Sequence, residues 1–166
     1  TALSEKEKEL TLENRLRTVL RIKASDLPVY KTLQERLEKI IERRGEEVDD
    51  TYALLCSIMN DLNEAKDLEK SSDLSMGERA ISQLLREKLD NEELVVVITN
   101  ELNDVVISYT NDFKNWQQKE TVVARIKRDI ILKLAMLSKV HSAIQNQKID
   151  YSKFSEQLMK YIIQHY

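Results

Sequence analysis

Apolar residues recur at three- and four-residue spacing along most of the chain, the period of a helix that buries one face. Leu12, Leu16, Val19 and Leu20 set a first stripe, with Arg15, Arg17, Arg21 and Lys23 among them. Asp26-Leu27-Pro28 interrupts it. Proline is accommodated in a first turn, where its missing N–H would have no partner anyway, and Asp26 is the predicted cap. Val29, Leu33, Leu37, Ile40 and Ile41 form a second stripe ending near Gly45, and a third helix is predicted after Asp49 or Asp50, with Tyr52, Leu55, Cys56, Met59 and Leu62 on one face. Ser75-Met76-Gly77-Glu78 has the form of a capping box, in which hydroxyl and carboxylate each take an orphan backbone N–H. Ile81, Leu84, Leu85 and Leu89 follow as a buried face.

Asn91 is the predicted cap of a fifth helix running to about Asp112. Its Leu94-Val95-Val96-Val97-Ile98 run has the composition of a strand, but Leu94, Ile98, Leu102, Val105 and Val106 continue at helical spacing, which predicts helix. A sixth helix is expected from Trp116, with Val123, Ile126, Ile130, Leu134 and Leu137 inward, and a seventh after Asp150, with Phe154, Leu158, Tyr161 and Ile162. No repeat, low-complexity stretch or long linker divides the chain. The predicted architecture is all-α: one domain over residues 1–166, with about seven helices in a bundle-like array joined by short connections.

Composition agrees with that reading. The chain has 166 residues, 42% of them hydrophobic and 33% charged, with two glycines and one proline, too few turn residues for a sheet-rich domain. At this length a domain buries roughly 70% of its unfolded surface, so a packed core is expected. Cys56 is the sole cysteine, which precludes an internal disulfide and fits a reducing compartment. No apolar run approaches the roughly 20 residues of a bilayer span, and no signal-peptide pattern is present, so a cytoplasmic location without membrane attachment is expected. The chain begins Thr1-Ala2-Leu3, and it is expected to be a fragment of a larger subunit. A net charge of −3 argues against a globally basic nucleic-acid binder.

Candidate chemistry is sparse. Gly45 and Gly77 are each followed by Glu and lie outside any glycine-rich run, so no phosphate-cradling loop is predicted. His141 and His165 are far apart and Cys56 is alone, short of a zinc ligand set; they are expected as two surface histidines and a core cysteine. The carboxylate pairs Glu46-Glu47, Asp49-Asp50 and Glu92-Glu93 fall at predicted helix starts, where negative charge complements the helix dipole. No catalytic, cofactor-binding or metal-ligating residue is predicted, and no small-molecule substrate.

Two basic clusters rise above this background. Between Lys114 and Lys139 stand Lys119, Arg125, Lys127, Arg128 and Lys133 as well, against only Glu120 and Asp129; Arg125, Arg128 and Lys133 fall away from the apolar stripe. Arg15, Arg17, Arg21 and Lys23 form the second cluster. A charge run on a helix is usually a solvated face. The functional alternative is a surface for phosphates or an acidic partner, whose affinity falls with salt. Trp116 lies beside the first cluster, though a tryptophan at a helix start more often packs inward.

Three segments resemble the region beyond the helicase core in motor subunits of type I restriction enzymes. The first is Asp26-Leu27-Pro28-Val29-Tyr30, continued by Leu33 and by Glu35 to Ile41; the second is Leu74 to Glu78 at the capping box. The third and most specific is Asn115-Trp116-Gln117-Gln118-Lys119-Glu120-Thr121-Val122-Val123-Ala124-Arg125-Ile126-Lys127. Their order and spacing agree with the family pattern across nearly the whole chain. Departures are Leu27 in place of an acidic residue, Leu12 to Leu16 where paired histidines are common, and no Tyr-Gly-Tyr-Pro-Pro-like turn between Val140 and Ile149. The resemblance implies a non-catalytic helical domain of an ATP-dependent DNA translocase and endonuclease. That domain would dock the motor on methyltransferase and specificity subunits, with ATP and magnesium held by other domains. In that setting Arg125, Lys127, Arg128 and Trp116 are the favoured contact or scaffold positions, and the basic clusters add Lys133, Arg15, Arg17 and Arg21 as candidate partner or DNA contacts. Direct contact with translocated DNA and a purely structural scaffold remain the alternatives.

Overall fold

The computed structural model describes residues 4–46 and 50–166, and these form eight α-helices and one 3-10 turn with no strand. The chain is all-α, and its helices sort into two compact units, 1–73 and 74–166.

In the first unit, α1 (Glu5–Lys23), α2 (Pro28–Glu42) and α3 (Thr51–Ser71) each pack on the other two. The Ser4 hydroxyl accepts from the Glu7 N–H and the Glu7 carboxylate from the Ser4 N–H, a second capping box at the start of α1. Leu16 and Leu20 of α1, Leu33 and Leu37 of α2, and Leu55, Ile58 and Leu62 of α3 are buried.

Three expectations are corrected here. Leu27, not Asp26, occupies the cap position of α2, and no side chain caps it; Pro28 at the first helical position has no N–H to satisfy. On α3 the buried face is turned by roughly 60° toward Ile58, at 100° of rotation per residue. Tyr52 is therefore 41% exposed and Cys56 and Met59 only half-buried, so Cys56 is not a core cysteine. Hydrogen bonding with Cys56 raises the Tyr52 pKa above the usual phenol value. Asp50 caps α3 as expected, accepting from the Ala53 N–H, while Glu47 and Asp49 lie outside the described residues. Glu46 starts no described helix; it pairs with Arg43 at 3.2 Å.

One buried charge organises this unit. Glu13 is 3% exposed on α1 and receives Arg17 at 3.0 Å and the Arg44 guanidinium from the chain just beyond α2. A buried carboxylate is tolerated only when its oxygens are matched this way.

In the second unit, α4 (Met76–Lys88), α5 (Glu92–Thr110), α6 (Glu120–Val140) and α8 (Tyr151–His165) close a ring: α4 packs on α5, α5 on α6, α6 on α8 and α8 on α4. This is a four-helix bundle in chain order. The short α7 (Ser142–Asn146), which periodicity did not reveal, packs on α6 through Ile144. Both caps read from the sequence are present: the Ser75–Glu78 box on α4, and Asn91 accepting from the Leu94 N–H on α5. Arg86 reaches from the end of α4 to the start of α5, holding Glu92 through contacts of 2.6, 3.0 and 3.3 Å and keeping its carboxyl below the usual carboxylate range.

The sixth helix begins at Glu120 rather than Trp116, which lies instead in the 3-10 turn Trp116–Gln118. Asn115 enters that turn at φ 54°, a left-handed conformation that asparagine tolerates better than most residues. The inward valine of α6 is Val122, with Val123 half-buried.

Tyr166 ties this unit together. Its hydroxyl donates to Asn103 on α5, its carbonyl accepts from Gln117 at 2.9 Å, and its ring lies over Gly77 so closely that a Cβ there would fall 2.2 Å from Cε2. Burial raises its pKa above the usual phenol value, with the Glu78 charge adding to the shift.

Candidate partner-binding surface

Helix α6 carries two apolar stripes. Ile126, Ile130 and Leu134 are fully buried in the bundle. Leu132, Met136 and Val140, four residues apart, line the opposite side and are 54%, 61% and 77% exposed. Scattered single hydrophobes on a surface are ordinary, but three on consecutive turns of one helix form a seam. The seam continues the line of Arg125 and Arg128 toward the end of the helix and has exposed Lys139 beside it. At its far end it runs into a shallow depression of about 370 Å³, where Val140 and His141 meet Leu94 and the exposed Val97 of α5.

The predicted contact residues divide sharply. Trp116 is 3% exposed and belongs to the core, so it is not a contact position. Lys127 is held by Glu156 of α8 at 3.0 Å, and Lys133 by Glu101 of α5 at 3.3 Å; both lean onto neighbouring helices rather than outward. Arg128 remains exposed beside Asp129, at 3.3 Å. The other Asp129 oxygen takes the Tyr109 hydroxyl, and that hydrogen bond raises the Tyr109 pKa, with burial adding and the nearby arginines opposing. Arg125 is exposed and makes no ion pair among the described residues.

The other cluster belongs to the first unit. Arg17 is engaged with buried Glu13, and Arg15 projects from α1 into solvent. Arg21 and Arg17 border a shallow groove of about 380 Å³ between α1 and α2, where Glu38 and Glu42 face them across Leu37 and Ile41. Its facing charges of both signs make it a poor cradle for a phosphate.

Sequence reasoning overlooked the exposed seam, although its signal was present: Leu132, Met136 and Val140 repeat at i, i+4 and i+8 beside the inward series. A search for one buried face per helix assigns such residues to the margin of that face. Among the described residues no group of three or more His, Cys, Asp or Glu side chains could hold a metal ion, and no described helix is long and apolar enough to cross a membrane. No family model matches the chain, and no match to it is found among the curated proteins or the solved structures.

Proposed function

We propose that this chain is a non-catalytic assembly domain that works by presenting the outer face of α6 to a partner protein. The carrying observation is the exposed Leu132–Met136–Val140 seam, whose apolar surface loses its contact with water only when something covers it. The three segments similar to type I restriction motor subunits supply the setting. In that setting the domain docks an ATP-driven DNA translocase and endonuclease on its methyltransferase–specificity core in the cytoplasm, and other domains hold ATP and magnesium.

Exposed Arg125 and Arg15 favour a second reading, in which the chain guides DNA. Pairing weighs against it: Lys127, Arg128 and Lys133 each have a carboxylate within 3.3 Å, which leaves few cations to replace phosphate counterions.

Calorimetric titration of the chain into the methyltransferase–specificity core, with and without DNA, separates the readings. Docking predicts saturable binding without DNA that persists at 0.15 M salt, where the Debye length is about 8 Å. Binding that requires DNA and weakens steeply with salt would replace docking by DNA guiding, and no binding in either case would refute both.

A further inference from the structure

The outer face of α6 also specifies the chemistry of what covers it. From Arg125 to Val140 it runs about 22 Å at 1.5 Å per residue, roughly four helical turns. Its first half is cationic, with Arg125 and Arg128; its second half is the apolar seam, and the depression beside Val97 and His141 closes the end. The seam is one residue wide. That width suits a partner helix laid along α6, with side chains interleaving at i, i+4 and i+8. A lipid surface is served better by a broad apolar face.

Charge narrows the choice further. Asp129 is the single carboxylate in residues 121–140, and the Tyr109 hydroxyl and Arg128 already occupy it. Arg128 is answered by Asp129, and Glu93 of α5 lines the depression, whereas exposed Arg125 and Lys139 form no ion pair among the described residues, so the length of the face stays net positive. A second copy of the chain laid antiparallel would bring Lys139 toward Arg125, like against like. We infer that the outer face of α6 is a docking site for an acidic amphipathic helix of about four turns, whose carboxylates meet Arg125 and Arg128 and whose apolar side chains lie along Leu132, Met136 and Val140. This deepens the assembly reading and draws its biological meaning from it.

The test uses the full chain and two labelled helical peptides of about 20 residues, alike in their leucine spacing at i, i+4, i+8 and i+11, one with glutamates and one with lysines on the flanks. Fluorescence anisotropy is expected to show the acidic peptide binding at least tenfold more tightly. Leu132→Glu with Met136→Glu should abolish that binding, and Arg125→Glu with Arg128→Glu should reverse the preference toward the lysine peptide. All four positions are surface-exposed, and a milder Leu132→Ser variant with an unchanged circular-dichroism melt keeps the test valid if a double variant misfolds. Equal binding of both peptides, no binding, or loss that ignores the seam would overturn the inference. So would tighter binding to phosphatidylglycerol vesicles or to duplex DNA, or self-association abolished by Leu132→Glu. If the core titration succeeds while these peptides fail, assembly stands and uses another face; if the peptides bind and the core does not, the face stands and the restriction setting falls.

Discussion

Tyr166 and Gly77 show how one contact makes a small residue necessary. Glycine inside a helix costs roughly 1 kcal/mol relative to alanine, so Gly77 in the first turn of α4 needs a reason. The reason is the Tyr166 ring, which would lie 2.2 Å from an added Cβ and is held in place by its hydrogen bond to Asn103. Overpacking of this kind costs about 1–3 kcal/mol. Gly77→Ala should therefore destabilise the chain, whereas in a Tyr166→Ala background the same change should stabilise it by up to about 1 kcal/mol, because only the helix preference remains. Urea denaturation of the four proteins in that cycle reads the sign directly, and equal signs in both backgrounds would refute the steric account. Glu13 makes the complementary point for charge: its burial is sustained by two arginines, one four residues along α1 and the other 31 residues away.

Helix ends were legible in the sequence wherever the cap is local. Ser75 and Asn91 bond to backbone three residues on, so the relevant partners lie within one turn and the pattern is complete in a few letters. Ser75→Ala should cost about 1 kcal/mol and Ser75→Gly only a few tenths, with the denaturant midpoint shifting at constant slope. Local pattern was insufficient where packing decides. The phase of α3 depends on which neighbours cover it, so periodicity alone places Tyr52 inward and misses Ile58. Trp116 sits in a turn whose left-handed Asn115 has no periodic signal, and five-residue α7 is too short to display one. The basic cluster of α6 was legible as composition, yet Lys127 and Lys133 are committed to Glu156 and Glu101 on other helices, which no local pattern records.

At the scale of the whole molecule, the two units divide the predicted contacts between them. In the first, Arg17 is engaged at Glu13 and, with Arg21, faces carboxylates across the α1–α2 groove, while Arg15 is exposed. The second closes a four-helix ring and leaves an apolar seam outside it. A net charge of −3 with arginines concentrated at one end of that seam favours oriented recognition of an acidic surface over general attraction to polyanions. The seam also contains its own reporter. Of the four methionines, Met136 is 61% exposed, Met159 is buried, and Met59 and Met76 are half-buried. Thioether oxidation follows access, so dilute peroxide should convert Met136 to its sulfoxide first in the free chain. The decisive measurement is the rate of that conversion, read by peptide mass spectrometry, for the chain alone and bound to the methyltransferase–specificity core. The account predicts that binding slows Met136 oxidation at least fivefold while Met59 and Met76 are little changed. A saturated complex in which Met136 oxidises as fast as in the free chain would contradict it.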